Sequence, residues 1–225
     1  MTYDFICNYL LQVLWDPMWP VKKGEKMNSS KTRRITGLAI LIALEVGLCF
    51  LSNYVTIGTV NLNLALIPIV IGACLYGPLA GLALGLINGI IVIIAPGTAA
   101  FTAQNALATV ILCLVKTGLA GLLAGFVYKA LRKANDFVAV LLASIVVPVV
   151  NTGLFILGVF LFFMPLYQQW AGEGANVYAF VISTTLTINF LIELAINVVL
   201  STAVHRIIVV VGRGHRKVTN NEKEN

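Results

Sequence analysis

Long apolar runs separated by short polar breaks dominate this chain. The six runs lie at Ile35–Ser52, Leu62–Leu75, Leu79–Ala95, Ala106–Leu131, Phe137–Met164 and Val177–Val211. A helix needs about 20 apolar residues to cross a bilayer, and all runs but the second approach or exceed that length. Turn residues such as Gly77-Pro78 and Pro96-Gly97 mark the breaks. The pattern predicts an all-α integral membrane protein, a six-transmembrane-helix bundle.

The overall composition supports the same class. Of 225 residues, 59% are hydrophobic and 11% are charged, whereas soluble domains are about 45–50% apolar and about 25% charged. A soluble core does not explain this surplus, because a soluble chain of this size needs a charged surface. Composition therefore excludes a disordered chain, a disulfide scaffold and a soluble Rossmann-type enzyme. The four cysteines lack the spacing of metal ligands, so no metal site is expected.

The basic residues indicate the orientation in the membrane. They cluster in residues 22–34, in residues 129–133 and from Arg206 onward. The breaks at Asn53–Asn61 and Pro96–Asn105 carry no charge, and Pro165–Asn176 carries only Glu173. Because positively charged loops stay inside, we expect the N-terminus and the C-terminus to be cytoplasmic and these three loops to lie outside.

Three parts follow from this pattern. Residues 1–34 form a cytoplasmic N-terminal segment, residues 35–211 the six-helix membrane domain and residues 212–225 a cytoplasmic polar tail. The first 26 residues are rich in aromatic and aliphatic side chains but too short to span a membrane. They are either an interfacial helix or a dispensable segment.

Polar side chains lie near the middle of several runs. Ionisable residues inside a membrane are costly, so Glu45, Lys116 and Glu193 are each functional hypotheses. Asn88, Asn151 and Asn189 are expected at a similar depth. The sixth run also repeats a polar residue every four positions, and such a ridge must face protein or a cavity. Its members are Thr185, Asn189, Glu193, Asn197 and Ser201.

From these residues we predict a substrate site. The predicted binding side chains are Lys116, Asn151, Asn189 and Glu193 in the spans, with Asn61 and Asn105 in the uncharged loops. Two partners remain open for Lys116: it binds an anionic ligand, or it pairs with Glu193 and fixes helix register. Glu45 is expected to be structural or to face a partner protein.

Small residues repeat every four positions in three runs. The third run contains a row of glycines that begins just before it, at Gly77, Gly81, Gly85 and Gly89. The fourth run contains Gly121 and Gly125. Ala39 and Ala43 have the same spacing in the first run. Such spacing lets two helix backbones approach closely in lipid, so we expect internal packing for the third and fourth runs.

Four motifs together resemble a known family. They are Ile67–Ala73 (IPIVIGA), Tyr76–Gly81 (YGPLAG), Lys116–Gly121 (KTGLAG) and Pro148–Gly153 (PVVNTG). Across about Ile35–Val211 the chain is similar to the substrate-binding S component of energy-coupling factor (ECF) vitamin transporters, most of all to the pantothenate-type branch, with riboflavin and folate carriers as near relatives. That branch tends to have Arg where this chain has Lys116.

The resemblance implies a function and partners. An S component is a multi-pass protein of the bacterial or archaeal cell membrane. It is not an enzyme, binds a small vitamin near the outer face and needs no cofactor of its own. A transmembrane T component and two ATPase subunits, which use ATP, assemble with it. Ala39 and Ala43 match the family's Ala-x-x-x-Ala motif, which contacts the T component.

Two other functions stay open on the residues alone. One is a secondary carrier coupled to protons through Glu193. The other is an integral-membrane transferase or hydrolase with Glu45 or Glu193 as its base.

Overall fold

The computed structural model describes residues 29–52, 56–57, 60–61, 63–185 and 188–224. The predicted interfacial or dispensable segment, residues 1–26, lies outside these ranges. The chain divides into an N-terminal unit that ends at Ile40, helical from Ser29, and a main unit that starts at Leu41. The contacts described below all belong to the main unit.

The described residues are mostly helical. The helices are α1 (Ser29–Ser52), α2 (Leu66–Tyr76), α3 (Pro78–Ile94), α4 (Ala99–Gln104), α5 (Ala106–Leu131), α6 (Asp136–Gly158), α7 (Met164–Ala171), α8 (Val177–Thr185) and α9 (Ile188–Glu224). A 3₁₀ turn at Pro96–Thr98 precedes α4, and a π-helical segment at Val159–Phe163 joins α6 to α7. Strands β1 (Thr56–Ile57) and β2 (Val60–Asn61) pair antiparallel after α1, with Thr56 opposite Asn61.

Several of these helices could cross a membrane. Within the described ranges, four segments are long and apolar enough alone: Arg34–Ser52, Ala106–Leu131, Asp136–Ala171 and Val177–Val210. Pro78–Ile94 and Pro96–Gln104 qualify as a pair, but the chain bends by 75° between them. Helix α2 has only 11 residues. The helical architecture is therefore confirmed, whereas the count of six spans and the cytoplasmic termini stay predictions.

A one-residue turn joins α2 to α3. Gly77 has a φ of 94°, a conformation that glycine adopts without a steric cost. Pro78 follows as the first residue of α3, where its missing N–H costs nothing because that group has no partner inside the helix. These two residues allow α3 to fold back along α2.

Helices α3 and α5 pack backbone against backbone. A Cβ atom added to Gly81 would clash with the carbonyl of Gly121, and one added to Gly85 would clash with the carbonyl of Thr117. At Gly89 it would lie 2.9 Å from the Cys113 carbonyl oxygen. The residue number rises along α3 as it falls along α5, so the two helices are antiparallel. The predicted packing of the third and fourth runs through small residues is confirmed.

A polar cluster ties α5, α6 and α9 together at one end. The Tyr128 hydroxyl donates a hydrogen bond of 2.8 Å to Asp136 Oδ1. His205 Nε2 lies 3.4 Å from the other carboxylate oxygen of Asp136. Asp136 is also the first residue of α6, where a negative charge interacts favourably with the positive end of the helix dipole. One carboxylate thus fixes the mutual position of three helices.

Candidate functional site

A cavity of about 820 Å³ lies within the main unit. The cavity is lined by residues of α1 and of all helices from α3 to α9, both included. The 3₁₀ turn, the π-helical segment and Asn63 complete the lining. Its volume is within the range of about 300–1,000 Å³ that is typical of small-molecule sites. The lining combines many apolar groups with a few polar side chains, which is the usual composition of a site for an organic ligand.

Aromatic side chains form one wall of the cavity. We call Phe101, Phe155, Phe163, Tyr167 and Trp170 the aromatic cluster. The Phe101 ring is at its centre and meets the rings of Phe163, Phe155 and Trp170 edge-on at centroid distances of 5.2, 5.7 and 5.8 Å. Phe101 belongs to the short helix α4, so these contacts hold the bent α3–α5 connection against α6 and α7. Edge-to-face aromatic pairs stabilise such an arrangement beyond the area they bury.

The π-helical segment brings two rings of this cluster to the same side. Phe155 and Phe163 are eight residues apart, and a regular α-helix would rotate the second about 80° past the first. The wider turn at Val159–Phe163 reduces that offset. Both rings therefore line the cavity. Phe155 and Phe163 are not among the predicted site residues, because apolar residues in an apolar run give no signal that distinguishes a cavity wall from a lipid-facing surface.

Lys116, Asn151 and Glu193 bring polar groups to the cavity. Lys116 is on α5, and its Nζ lies 4.9 Å from the centroid of the Phe155 ring, a cation–π contact. Within the described part of the chain no carboxylate is within 4.0 Å of this ammonium group. The structure therefore brings Lys116 and Glu193 to one cavity without joining them in an ion pair.

Glu193 is engaged by the chain between α1 and α2. Its Oε1 accepts a hydrogen bond of 2.7 Å from the backbone N–H of Asn63. Beside it, Ser52 Oγ accepts a hydrogen bond of 3.1 Å from the N–H of Leu64. Side chains of α9 and α1 thus bind two consecutive amides just before α2, and this fixes the entry to α2 against the cavity.

Asn151 has an unused acceptor. The residue is buried in α6, three positions after Pro148, and its Oδ1 has no hydrogen-bond partner among the described residues. A buried polar atom without a partner is costly, so a ligand that donates a hydrogen bond here would bind favourably. Thr152 lies next to it and also lines the cavity.

The remaining predicted residues have other positions. Asn105 caps α5, since its Oδ1 accepts a hydrogen bond of 3.0 Å from the N–H of Ala108, and it is not among the described residues that line the cavity. The side chains of Asn61 and Asn189 lie outside the described part, so their predicted roles stay predictions. Ala39 and Ala43 are both exposed, one turn apart on α1.

One comparison with known proteins identifies the family. A family model described as "ECF transporter, substrate-specific component" matches residues 33–205. The chain belongs to this family. The resemblance inferred from the four motifs is thereby confirmed. No curated protein sequence matches the chain.

Membership in the ECF substrate-specific component family fixes the general role. The protein is a membrane-embedded, substrate-binding component of an ECF transporter, and the family is one of transporter components rather than enzymes. Such a component binds a small molecule and associates with T and ATPase components. The alternative of a membrane transferase or hydrolase has no support from this family.

Proposed function

We propose that this ECF component binds a small water-soluble vitamin that carries a carboxylate, with pantothenate as the favoured ligand. It captures the vitamin at the outer face of a bacterial or archaeal cell membrane. It then delivers the vitamin inward together with a transmembrane T component and two ATPase subunits that hydrolyse ATP.

The observation that carries this proposal is the environment of Lys116. Its ammonium group lines the cavity beside the Phe155 ring, and Glu193 accepts a hydrogen bond from the N–H of Asn63 instead of pairing with it. A buried lysine with no described carboxylate within 4.0 Å favours an anionic ligand, because the ligand supplies the counter-charge that an ammonium group needs there. Asn151 Oδ1 adds an acceptor for a ligand hydroxyl or amide, and pantothenate carries both of these donors.

A panel of ligands tests the choice of substrate. The purified protein in detergent is heated with pantothenate, riboflavin, folate and pantothenol, which is pantothenate with an alcohol in place of the carboxylate. We expect pantothenate to raise the melting temperature most and pantothenol clearly less. Equal stabilisation by pantothenate and pantothenol would exclude a role of the carboxylate in binding. Stabilisation by riboflavin alone would assign riboflavin as the substrate instead of pantothenate.

A second experiment tests the partner surface. Ala39→Trp together with Ala43→Trp puts two large side chains where close helix approach is proposed. We expect the variant to lose co-purification with the T component and the ATPases while it still binds the vitamin. Ile40→Trp together with Leu44→Trp is the matched control, because this pair is also exposed and has the same spacing but lies about 100° around α1 from Ala39 and Ala43. Unchanged assembly of the double variant at Ala39 and Ala43 would refute this surface.

A transport assay separates the proposal from a secondary carrier. Vesicles that contain this chain alone, with a pH gradient and no ATP, should not accumulate the vitamin. Accumulation under these conditions would favour a proton-coupled carrier.

A further inference from the structure

Two fully buried polar side chains lie outside the cavity. Glu45 in α1 and Asn88 in α3 are both 0% exposed. Neither carboxylate oxygen of Glu45 and neither amide atom of Asn88 has a hydrogen-bond partner in the described part of the chain. Four polar atoms therefore lack partners at two positions, in surroundings where water does not compete.

Contacts of α2 with its two neighbours show the relative direction of α1 and α3. Ser52 Oγ at the end of α1 accepts a hydrogen bond from the N–H of Leu64 just before α2, whereas Leu41, earlier in α1, lies against Gly72 near the end of α2, so these helices are antiparallel. A Cβ added to Gly81 would lie 2.8 Å from Ala73 Cβ, which places the start of α3 against the end of α2. Helices α2 and α3 are therefore also antiparallel. It follows that α1 and α3 run in the same direction.

Leucine side chains from α1 and α3 converge on one residue of α2. A Cβ added to Gly72 would lie 3.3 Å from Leu41 Cδ1 and would clash with Leu84 Cδ1. Glu45 follows Leu41 by one turn of α1, and Asn88 follows Leu84 by one turn of α3. Since the two helices run in the same direction, this register places Glu45 and Asn88 in one layer.

The layer is adjacent to the cavity. Cys49 lies one turn beyond Glu45 in α1, Val92 lies one turn beyond Asn88 in α3, and both line the cavity. Glu45 and Asn88 are not among the described lining residues. Both buried side chains therefore lie one helical turn from the cavity without lining it.

The chemistry of the layer favours a neutral acid. An ionised carboxylate buried without a counter-charge is strongly destabilised, and no described basic side chain is within 4.0 Å of Glu45. A protonated carboxyl has one O–H donor and a carbonyl acceptor, and an amide has two N–H donors and one acceptor oxygen. The two groups are therefore complementary. Hard metal cations take six or more oxygen ligands, and these two side chains supply three oxygens.

We propose that Glu45 and Asn88 form a buried proton-binding site, in which Glu45 holds a proton as a neutral acid and one water molecule joins its carboxyl to the Asn88 amide. We assign a bridging water because all four polar atoms lack a hydrogen-bond partner among the described residues, and buried waters commonly join such groups. This site keeps charge out of the membrane interior and links α1 to α3 beside the cavity.

Infrared spectroscopy of the full chain in lipid nanodiscs tests the site. The carbonyl stretch of a protonated carboxylic acid is separate from that of an ionised carboxylate. We expect Glu45→Gln to lose one such band and Glu173→Gln, at an exposed glutamate, to lose none. Asn88→Leu should keep the band but shift it to higher frequency, because the carboxyl loses a hydrogen bond. A Glu45→Gln spectrum identical to that of the natural chain would overturn the proposal.

Two further measurements decide the outcome if Glu45→Gln does not fold. Glu193→Gln removes the other buried glutamate, so with ¹³C-labelled glutamate its remaining acid band should be that of Glu45. Absence of a labelled band would overturn the proposal. The melting temperature should be the same in sodium, potassium and choline chloride, whereas a rise specific to sodium would assign a cation to the site instead. If the acid band of Glu45 does not shift in Asn88→Leu, Asn88 is not part of the proton-binding site.

Discussion

The two faces of α5 differ in how they contact the rest of the protein. On one face, Gly121 and the carbonyl of Thr117 lie directly against Gly81 and Gly85 of α3, and no space remains for a single added carbon. On the other face, Lys116 points into a cavity of about 820 Å³. Adjacent residues of one helix therefore belong to a close-packed interface and to an open site, because each residue is rotated about 100° from the last. The first face is fixed by backbone geometry, and the second leaves side chains available to a ligand.

The largest expected effect comes from breaking the packed face. Gly85→Leu would drive a side chain into the backbone carbonyl of Thr117, which has no freedom to move inside a helix. Overpacking commonly costs about 1–3 kcal/mol, and here the clash involves backbone, so we expect loss of the folded, monodisperse protein. Gly153→Leu is the matched control, since no atom lies within 4 Å of an added Cβ at that position. Size-exclusion chromatography and thermal unfolding in detergent measure both variants. Equal melting of the two would contradict the close packing.

The second effect concerns the open face. If Lys116 binds the ligand carboxylate, Lys116→Met should weaken vitamin binding by about 2–5 kcal/mol, a typical cost of truncating one partner of a buried charge pair. Lys116→Arg should restore part of the affinity, because the charge is kept but the geometry changes. Isothermal titration calorimetry measures the affinities.

Thermal stability separates ligand binding from an ion pair with Glu193. In the ion-pair case, Lys116→Met alone would lower the melting temperature, and Lys116→Met with Glu193→Gln would recover it. We expect instead that Lys116→Met melts close to the natural chain in the absence of ligand. Unchanged affinity in a well-folded Lys116→Met protein would remove Lys116 from the site.

The same contrast explains what the sequence could and could not predict. The α3–α5 interface was predictable, because Gly81, Gly85 and Gly121 carry their packing role in a four-residue spacing that is local to each helix. Lys116 and Glu193 were predictable as candidate site residues because charge inside an apolar run is rare. Their separate contacts, with Phe155 and with the N–H of Asn63, were not, since both depend on residues far apart in the chain.

The pattern of apolar runs does not predict two local features of the structure. The pattern predicts an outer loop at the uncharged break Pro96–Asn105, yet this segment folds into the 3₁₀ turn and α4 and carries Phe101 into the aromatic cluster. Asn105 caps α5 through its side chain, and its role in substrate binding stays a prediction. An asparagine directly before a long helical run is in the usual position of a helix cap, so the sequence itself indicates this capping role.

A third, smaller effect concerns the hydrogen bond that Glu193 accepts from the backbone N–H of Asn63. Glu193→Leu removes the acceptor of the Asn63 N–H, and a typical intramolecular hydrogen bond contributes about 0.5–1.5 kcal/mol. We expect lower thermal stability and faster hydrogen exchange at the start of α2. Glu193→Gln keeps an acceptor oxygen and should retain most of the protection. Equal exchange in the leucine variant and the natural chain would show that this bond does not hold the entry to α2.

The smallest expected effect is spectroscopic and tests whether the aromatic wall of the cavity responds to ligand. Trp170 lines the cavity, is 47% exposed and has its ring 5.2 Å from that of Tyr167. A ligand that enters the cavity changes the polarity and packing around this indole, so vitamin binding without ATP should change the tryptophan emission. The chain has two other tryptophans, Trp15 and Trp19, so a variant without Trp170 is needed to assign the change. Trp170→Phe should abolish the change while calorimetry still detects binding, and Lys116→Met should move the titration to higher ligand concentration. A full fluorescence change in Trp170→Phe would place the response elsewhere in the chain, and no change in the natural protein at saturating ligand would mean that the aromatic cluster is already closed before the ligand binds.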